Sequence, residues 1–560
     1  MIRLFSKTVF AVSLILTALP LAAPASAQPK ARDELVIGMT QYPTTLHPSI
    51  ESMLAKTYVL DMVRRPFTAY DKDWKLVCML CTEVPTLENR RAVIEDLPDG
   101  KKGIAVTYTI QPEAKWGDGT PITTEDVLFS YEFGKHPQSG VASGELYRRI
   151  TRIDVKDAKT FTLHVDKLTF EFAAINDFQV LPAHLERPRF ADPAAYRARN
   201  GYDTDTTNPG LYFGPYRIVE KAVGSHIVLE RNPTWWGKPP YFRRIVVRVV
   251  ENTAALEANL LSGSIGYIAG ELGLSLDQAL TFEKRHGAKF DIVYKPSLIY
   301  EHIDLNLDNP TLADKRVRQA LLYGIDREVI NQQLFAGRQP VAQTFVNPLD
   351  WIYDAGVASY RRDPQKAAAL LEAAGWTLKG RGVRMNDKGE PLVIELMTTA
   401  GNKVREQVQQ VLQSQWRQLG IDVRLRNEPA RVFFGDTVTK RKFAGLAMFA
   451  WFSAPEGVPR TTLHSREIPT AENNWSGQNY TGFRNAEADR LIDAIEIELD
   501  RDKRKDLWSR LQAIYAEELP ALPLFFRADP FIIPKWLKGI EPTGHQDISP
   551  LWVEYWHAVP

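Results

Sequence analysis

The segment at positions 114–127 (AKWGDGTPITTEDV) constrains the local fold of this chain more than any other stretch. The pair Asp118–Gly119 is typical of a turn, because glycine adopts positive φ without a clash from a Cβ atom. Thr123 and Asp126 have the spacing of a capping box, which satisfies the first free N–H groups of a helix. The segment therefore predicts a turn followed by a capped helix, and we expect that helix to end near Gly134.

Taken as one pattern, the same segment resembles a family signature. Its form W-x-D-G-T-P-[hydrophobic]-T-x-E-D-V is similar to that of the family 5 extracellular solute-binding proteins, the dipeptide, oligopeptide and nickel-binding receptors of ABC importers. Other segments that resemble this family are Gly214–Tyr216, Ile227–Gly237, Asp314–Arg327 and Asp363–Trp376. The resemblance extends from about residue 34 to about residue 535.

The resemblance implies an α/β fold, namely the two-lobed periplasmic binding protein fold (class II, cluster C-like) with an extra subdomain in the first lobe. A chain of 560 residues also exceeds the roughly 250–300 residues that one core usually supports. We expect hinge crossings near Tyr294–Pro296 and Leu519–Ala521. The expected division is signal peptide 1–27; first lobe 28–70, 205–295 and 517–560; extra subdomain 71–204; and second lobe 296–516.

The N-terminus is typical of a secretory signal peptide. Arg3 and Lys7 form a basic start, Phe10–Leu21 is apolar, and Ala25–Ala27 is an A-x-A cleavage site. The apolar run is shorter than the roughly 20 residues that a membrane-spanning helix needs. We therefore expect cleavage after Ala27 and a location in the periplasm, with an uncleaved membrane anchor as the alternative.

The charge balance argues against two classes of partner. The chain has 69 Lys and Arg residues against 68 Asp and Glu residues, which gives a formal net charge of +1. Proteins that bind nucleic acid or anionic membranes usually carry a basic excess. We therefore expect no nucleic-acid partner and no anionic membrane surface as the main partner.

Only two cysteines occur, Cys78 and Cys81, in the segment VCMLC. In an oxidising compartment their default state is a small-loop disulfide. A thioredoxin-like redox pair would open a helix, whereas Pro85 follows closely here, and a zinc site would need two further ligands. The disulfide is the favoured interpretation, with redox chemistry and metal binding as alternatives.

Motifs of common enzyme classes are missing from the sequence. It contains no GxxxxGK[ST] phosphate loop, HExxH zinc helix, GxSxG nucleophile elbow or GxGxxG dinucleotide fingerprint. We expect a binding protein that is not an enzyme, with no catalytic residues, no cofactor and no metal site. Single histidines such as His302 and His464 are expected to be structural.

The best candidate for the ligand cleft is the segment Leu446–Glu456, an apolar strand that breaks into a loop at Ser453. The resemblance implies that peptide-binding members carry a Trp here, followed closely by an Asp that pairs with the α-ammonium of the peptide. Trp451 matches the Trp, whereas Phe452 and Ser453 stand where the acidic residue is expected. Glu456 is acidic but lies at a different spacing. Recognition of a free peptide amino terminus is therefore left open.

Further candidates come from loops that the resemblance places at the cleft and from strand ends, where α/β proteins form ligand sites. An Arg can hold a carboxylate through two hydrogen bonds, and aromatic rings can stack on an extended ligand. Structural alternatives exist, since Trp451 also fits a core strand and Arg460 also fits an ion pair. The candidate ligand-binding residues are Gln41, Tyr42, Asn306, Trp451, Phe452, Ser453, Arg460, Trp475, Asn479 and Tyr480.

Together these features predict the periplasmic substrate-binding component of an ABC importer, which binds a peptide or peptide-like solute between two lobes and delivers it to the permease. We expect a monomer whose partners are the solute and the permease and ATPase subunits. One alternative is the same fold with a non-peptide ligand, such as a nickel chelate, haem, an opine, glutathione or an oligosaccharide. A more remote alternative is a secreted hydrolase.

Overall fold

The computed structural model describes residues 32–50, 53–142, 144–378, 380, 382–429, 432–472 and 477–560. The expected signal peptide and the candidate Trp475 lie outside these residues. In the described part of the chain, no helix is long and apolar enough to cross a membrane. Two five-stranded sheets, a four-stranded sheet and two strand pairs make up its β-structure.

The first lobe is built around a mixed five-stranded sheet. Its strands, in spatial order, are Tyr267–Ile268, Glu34–Met39, Arg244–Val249, His226–Arg231 and Tyr216–Ala222. The second strand is parallel to both of its neighbours, and the last three alternate in direction. The helix Leu54–Val63 is apolar on most of its surface and is buried in the core of this lobe. Further helices here are Thr253–Ser262 and Leu276–His286.

The extra subdomain contains an antiparallel four-stranded sheet and the predicted capped helix. The strands are Ala92–Asp96, Lys102–Thr109, Thr160–Val165 and Ile150–Val155. The helix is confirmed as Thr124–Lys135, with Thr123 as N-cap. The Thr123 N–H donates to Asp126 Oδ2 at 2.9 Å, which is one half of the capping box. Gly119 has a φ of 93°, as the predicted turn requires.

Two residues near this helix have roles that its sequence pattern does not show. The indole Nε1 of Trp116, which is fully buried, donates to Asp126 Oδ2 at 3.3 Å. The Trp and the Asp of the family-like segment are therefore hydrogen-bonded to each other in the core of the subdomain. The expected helix end at Gly134 is wrong by one residue, because the helix continues to Lys135. Gly134 lies inside it, where the Tyr147 ring occupies the space of a Cβ atom.

The second lobe is built around the other five-stranded sheet. Its strands, in spatial order, are Asp422–Glu428, Val393–Thr399, Leu446–Phe452, Phe290–Leu305 and Ala521–Pro534. The first three strands are parallel, and the next two alternate in direction. The main helices of the lobe are Lys315–Tyr323, Arg327–Phe335, Pro364–Ala373, Lys403–Gln418, Ala486–Ile497 and Arg501–Glu518.

Two long strands connect the lobes. Phe290–Leu305 and Ala521–Pro534 pair along their length, with a register shift between Pro296 and Tyr300. The first half of Phe290–Leu305 and the last half of Ala521–Pro534 pack with the first lobe. The other half of each strand packs with the second lobe. The expected domain boundaries stay predictions, but Leu519 lies in the core of the second lobe. This packing indicates that the chain returns from the second lobe to the first lobe later than the expected boundary at residue 517.

The remaining elements are short. Two strand pairs are Thr68–Tyr70 with Leu76–Cys78 and Leu537–Lys538 with His557–Ala558. Cys78 and Cys81 form a disulfide with 5.2 Å between their Cα atoms. Short α-helices are Glu145–Arg149, Ala183–Glu186, Pro193–Arg199, Gly201–Thr204, Pro310–Ala313 and Arg460–Leu463. Short helices of other types are Arg189–Ala191, Pro209–Leu211, Gly287–Lys289, Phe433–Thr437, Ser465–Glu467 and Ser549–Tyr555, the last with a kink at Trp552.

Candidate ligand-binding site

A cavity of about 280 Å³ lies in the second lobe, beside the end of the strand Leu446–Phe452. Its floor is the face of the neighbouring strand that carries Tyr300, His302 and Asp304. These alternate residues share one face because successive side chains of a strand point to opposite sides. Polar residues that also line it are Thr461, Thr462, Gln478 and Thr481.

The predicted residues Trp451, Phe452 and Ser453 lie together at this cavity. Trp451 pairs with Tyr300 across the two antiparallel strands. The Ser453 N–H donates to the Leu298 carbonyl at 3.3 Å, so the loop starts directly at the cavity. Phe452 is 54% exposed. The strand therefore ends in an aromatic surface that solvent and ligand can reach.

A row of aromatic rings crosses the cavity floor. The rings of Tyr300 and His302 are stacked with centroids 5.0 Å apart, and those of His302 and Trp451 are stacked at 6.4 Å. Tyr480 does not line the cavity but packs on Trp451 at 5.6 Å. The hydroxyls of Tyr300 and Tyr515 are 3.0 Å apart. These contacts within the protein hold the rings in their orientations in the absence of a ligand.

Two buried carboxylates face the same cavity. Asp304 is 4% exposed, and its Oδ1 lies 3.2 Å from His302 Nε2 without the geometry of a hydrogen bond. Asp350 is 7% exposed and accepts hydrogen bonds from the N–H groups of Glu456 at 2.7 Å and Ile352 at 3.3 Å. Burial raises the pKa of Asp350 to about 6, against the lowering effect of these N–H groups.

Glu456 is already paired inside the protein. Its carboxylate accepts hydrogen bonds from Arg504 and, at 3.0 Å, from Trp351 Nε1. It therefore anchors the loop that follows Trp451 rather than presenting a free acidic group to a ligand. Asp350, which accepts a hydrogen bond from the backbone of this loop, lines the cavity together with Asp304.

The extra subdomain contacts the second lobe close to this loop. The Phe170 N–H donates to the Glu496 carbonyl at 2.9 Å, and Lys167 forms an ion pair with the Glu496 carboxylate. The guanidinium of Arg504 lies 4.3 Å from the centre of the Phe170 ring. Arg504 thus joins Glu456, in the loop beside the cavity, to a residue of the opposite lobe.

A second cavity, of about 380 Å³, lies between the lobes. The first lobe contributes Gln41 and the segment 270–277, and the second lobe contributes Glu301 and Arg405. Glu301 is next to Tyr300 in the strand, so its side chain lies on the opposite face from the first cavity. The sequence-predicted Gln41 is therefore separated from Trp451 by the sheet of the second lobe.

Glu301 is held by two arginines at this second cavity. Arg405 and Arg527 both donate to its carboxylate, with Arg527 Nη2 at 2.8 Å. Burial alone raises the pKa of Glu301, but the charges of Arg527 and Arg405 outweigh burial and lower it to about 2. The group therefore stays ionised at all ordinary pH values.

The other predicted site residues make contacts within the protein. Tyr42 packs on the core of the first lobe, and Asn306 Nδ2 donates to the Phe443 carbonyl at 2.7 Å. Arg460 pairs with Glu496 and Asp493. Asn479 Nδ2 donates to the carbonyls of Leu463, His464 and Phe483. None of these four lines the first cavity, and their contact with a ligand stays a prediction.

Sequence reasoning missed His302, Asp304 and Asp350. Alternation in the strand Phe290–Leu305 is a signal that places His302 and Asp304 on one face. Asp350 lies in a loop about 100 residues before Trp451, and no local pattern indicates that the two meet.

Comparison with known proteins identifies the family of the chain. Residues 95–469 match the model of the bacterial extracellular solute-binding proteins, family 5 Middle. The chain belongs to this family. The two-lobed fold expected from the sequence is confirmed by the described structure and by its neighbours among solved structures.

Individual relatives cover most of the chain. The oligopeptide-binding protein AppA of Bacillus subtilis is 25% identical over 94% of this chain and 92% of its own length. The nickel-binding periplasmic protein of Escherichia coli is 26% identical over 74% of each chain. An oligopeptide-binding protein from Thermus thermophilus, solved with a pentapeptide, has a TM-score of 0.71, 32% identity and coverage of 94% and 96%.

These relatives are solute-binding proteins of ABC transporters, and family 5 proteins of this class act outside the cytoplasm. Relatives that are receptors support a role other than catalysis. The aromatic surface, the buried carboxylates and the polar wall of the cavity fit the pattern of a ligand site, which is apolar with a few placed polar groups.

Proposed function

We propose that this protein is the substrate-binding component of an ABC importer and that it binds a peptide or peptide-like solute between its lobes. The observation that carries the proposal is the position of Trp451–Ser453. These residues end a strand at a cavity, next to the contact between the lobes, and contribute aromatic surface to its lining. The relatives include oligopeptide-binding proteins, which supports a peptide as the ligand class.

The location and partners follow from the same role. The protein is exported through the signal peptide 1–27, cleaved after Ala27, and acts in the periplasm as a monomer. After closing on the solute it delivers the solute to the permease, and the ATPase subunits drive import. Closure brings the subdomain residues Lys167 and Phe170 against Glu496, the contact that the structure shows.

Among the predicted site residues, we propose Trp451, Phe452 and Ser453 as the main ligand contacts. They line the first cavity together. Tyr480 acts through Trp451, whose ring it supports. Gln41 lies at the second cavity, on the other face of the sheet of the second lobe, so we do not place it in contact with a ligand bound at Trp451.

The decisive experiment is native mass spectrometry of the protein purified from cells without denaturation. We expect bound peptides, which denaturation releases and tandem mass spectrometry sequences. A thermal-shift screen with a peptide library then measures the affinity of identified ligands. Trp451→Ala should weaken binding, whereas Trp451→Phe, which keeps a ring, and Trp235→Ala, in the first lobe, should bind as the wild type does.

Two outcomes would contradict the proposal. A retained metal chelate, haem, opine, glutathione or oligosaccharide would assign the same fold to a non-peptide solute. The absence of any retained molecule, together with no thermal shift from any peptide, would remove peptide binding altogether.

A further inference from the structure

A cluster of buried oxygen atoms lies in the first lobe, behind the wall of the second cavity. Four of these atoms have no hydrogen-bond partner among the described residues, namely Tyr58 Oη, Tyr267 Oη, Ser549 Oγ and Glu271 Oε2. The two tyrosines are fully buried, and Ser549 is 1% exposed. Buried hydroxyl and carboxylate oxygens are costly to leave unpaired, so the cluster is suited to a bound group.

The contacts of Glu271 show that these atoms lie close together. The Ser549 N–H donates to Glu271 Oε1 at 2.9 Å, which places the serine beside the carboxylate. Burial raises the pKa of Tyr58 and of Tyr267 most, and the charge of Glu271 raises both further. Both hydroxyls must therefore be near this charge. A helix, an edge strand, a loop and a helical turn of the first lobe thus bring oxygen atoms to one place.

The carboxylate of Glu271 has no positive partner among the described residues. The residue is half-buried and lines the second cavity, but its Oε2 is buried. The two arginines of this cavity, Arg405 and Arg527, both donate to Glu301. Burial and, to a smaller extent, the charge of Asp529 raise the pKa of Glu271 to about 7. A water molecule could fill hydrogen bonds here, but it would not supply a positive charge.

The kind of cation follows from the donor atoms. All four are oxygens and three are neutral hydroxyls, which disfavours transition metals that prefer nitrogen or sulfur. Within the part of the chain that the structure describes, no group of three or more His, Cys, Asp and Glu residues could hold a metal ion. Calcium, which is usually held by several carboxylates, therefore fits poorly. One carboxylate balances one positive charge, so the cluster fits a hard monovalent cation.

We propose that Glu271 Oε2 and the hydroxyl oxygens of Tyr58, Tyr267 and Ser549 bind a sodium or potassium ion. The ion supplies the positive charge that the carboxylate lacks, and the hydroxyl oxygens contribute lone pairs to its coordination. It enters through the second cavity, which Glu271 lines. This ion is part of the folded receptor and is independent of the solute that the receptor carries.

The ion also orders the side of the second cavity that belongs to the first lobe. Leu272 follows Glu271 directly, and its carbonyl accepts hydrogen bonds from the Thr40 N–H at 3.0 Å and from Thr40 Oγ1 at 2.9 Å. Thr40 follows the strand Glu34–Met39 and precedes Gln41, which lines this cavity. An ion on Glu271 therefore stabilises the loop that holds the end of the strand.

The test compares thermal unfolding of the wild type in the chloride salts of sodium, potassium and choline at equal ionic strength, without any solute. Choline, which is too large to be coordinated by the cluster, is the reference. At pH 8, where Glu271 is ionised, we expect sodium or potassium at about 100 mM to raise the unfolding midpoint by about 2–4 °C over choline. At pH 5 a proton occupies the carboxylate instead, and the difference should disappear.

Variants then assign the effect to the cluster. Glu271→Gln removes the charge and should abolish the difference between the salts at pH 8. Tyr58→Phe and Tyr267→Phe each remove one oxygen and should reduce it. Asp277→Asn is the matched control, because Asp277 lines the same cavity but is exposed and bonded to Ser275 Oγ at 2.6 Å. Circular dichroism in choline chloride shows that each variant is folded.

Two results would overturn the proposal. Equal midpoints of the wild type in all three salts at pH 8 would mean that the cluster holds water or a proton and no ion. A full salt difference in Glu271→Gln and in both tyrosine variants would place the ion elsewhere. The comparison on the wild type requires no variant, so a misfolded variant does not affect it. No solute takes part, so neither result bears on the proposed function.

Discussion

The buried carboxylate of Glu301 is the sharpest test of how the second lobe is held together. Glu301 lies on the strand Phe290–Leu305, and its partners Arg405 and Arg527 lie on a helix and on the other connecting strand. The side chains of Glu301 and Arg405 are each 10% exposed. One carboxylate therefore joins three elements at the cavity between the lobes.

The magnitude follows from the pKa of Glu301. Burial raises this pKa, the charges of Arg527 and Arg405 lower it by more, and the net change is from 4.5 to about 2. Since one pH unit corresponds to about 1.4 kcal/mol, the ionised carboxylate contributes about 3 kcal/mol at pH 7. Because the pKa is lower in the folded state, this stability is complete above the unfolded pKa and is lost as the pH falls through the folded one. About 1.4 kcal/mol remains at pH 3 and less than ~0.5 kcal/mol at pH 2.

The assay is urea unfolding of the wild type and Glu301→Gln, followed by tryptophan fluorescence. We expect the variant to lose about 3–5 kcal/mol at pH 7, because it also leaves two arginines without a counter-ion. The deficit should shrink by about 2 kcal/mol at pH 3. Glu487→Gln, which breaks a surface ion pair with Arg490, is the control and should not change stability. A deficit of equal size at both pH values would refute the electrostatic argument and leave only packing.

Three further predictions concern other parts of the chain. Thr123→Ala should lower the free energy of unfolding by about 1 kcal/mol through loss of the N-cap, whereas Thr123→Ser should not, as measured by urea denaturation. Replacement of Cys78 and Cys81 by serine should cost about 2 kcal/mol by the loop-entropy relation for so short a loop, and an unchanged unfolding midpoint would contradict that relation. Lys167→Ala removes the ion pair with Glu496 and should increase the radius of gyration measured by small-angle X-ray scattering with saturating ligand, because the closed form loses a contact between the lobes.

Local patterns in the sequence predict the parts of the fold that depend on neighbours in the chain. The capping box at Thr123 and Asp126 was predictable because both residues act on the same helix turn. The separation of the helices Ala486–Ile497 and Arg501–Glu518 was predictable too, since Asp500 has a typical N-cap side chain and caps the second helix. Gly134 shows the limit of this reasoning. Its role depends on the ring of Tyr147, which a stop signal at a helix end does not reveal.

The candidate site depended on contacts that no local pattern contains. The family resemblance located Trp451, Phe452 and Ser453, and the structure brings them to one cavity. It could not show that Arg460 forms ion pairs with Glu496 and Asp493, which both lie on the later helix Ala486–Ile497. Nor could it show that Asp350 lies beside the loop after Trp451.

The position of Asp350 also connects ligand binding to closure. Its carboxylate holds the N–H of Glu456, and the Glu456 side chain pairs with Arg504. Arg504 lies on the ring of Phe170, which belongs to the other lobe. A ligand shifts the balance between open and closed forms only through contacts that differ between them. A ligand bound at the loop after Trp451, as we propose, would act on such a contact, because Glu456 in this loop holds the Arg504 side chain that lies on Phe170. Recognition and closure then depend on the same short segment, the one in which this chain differs from the peptide-binding pattern.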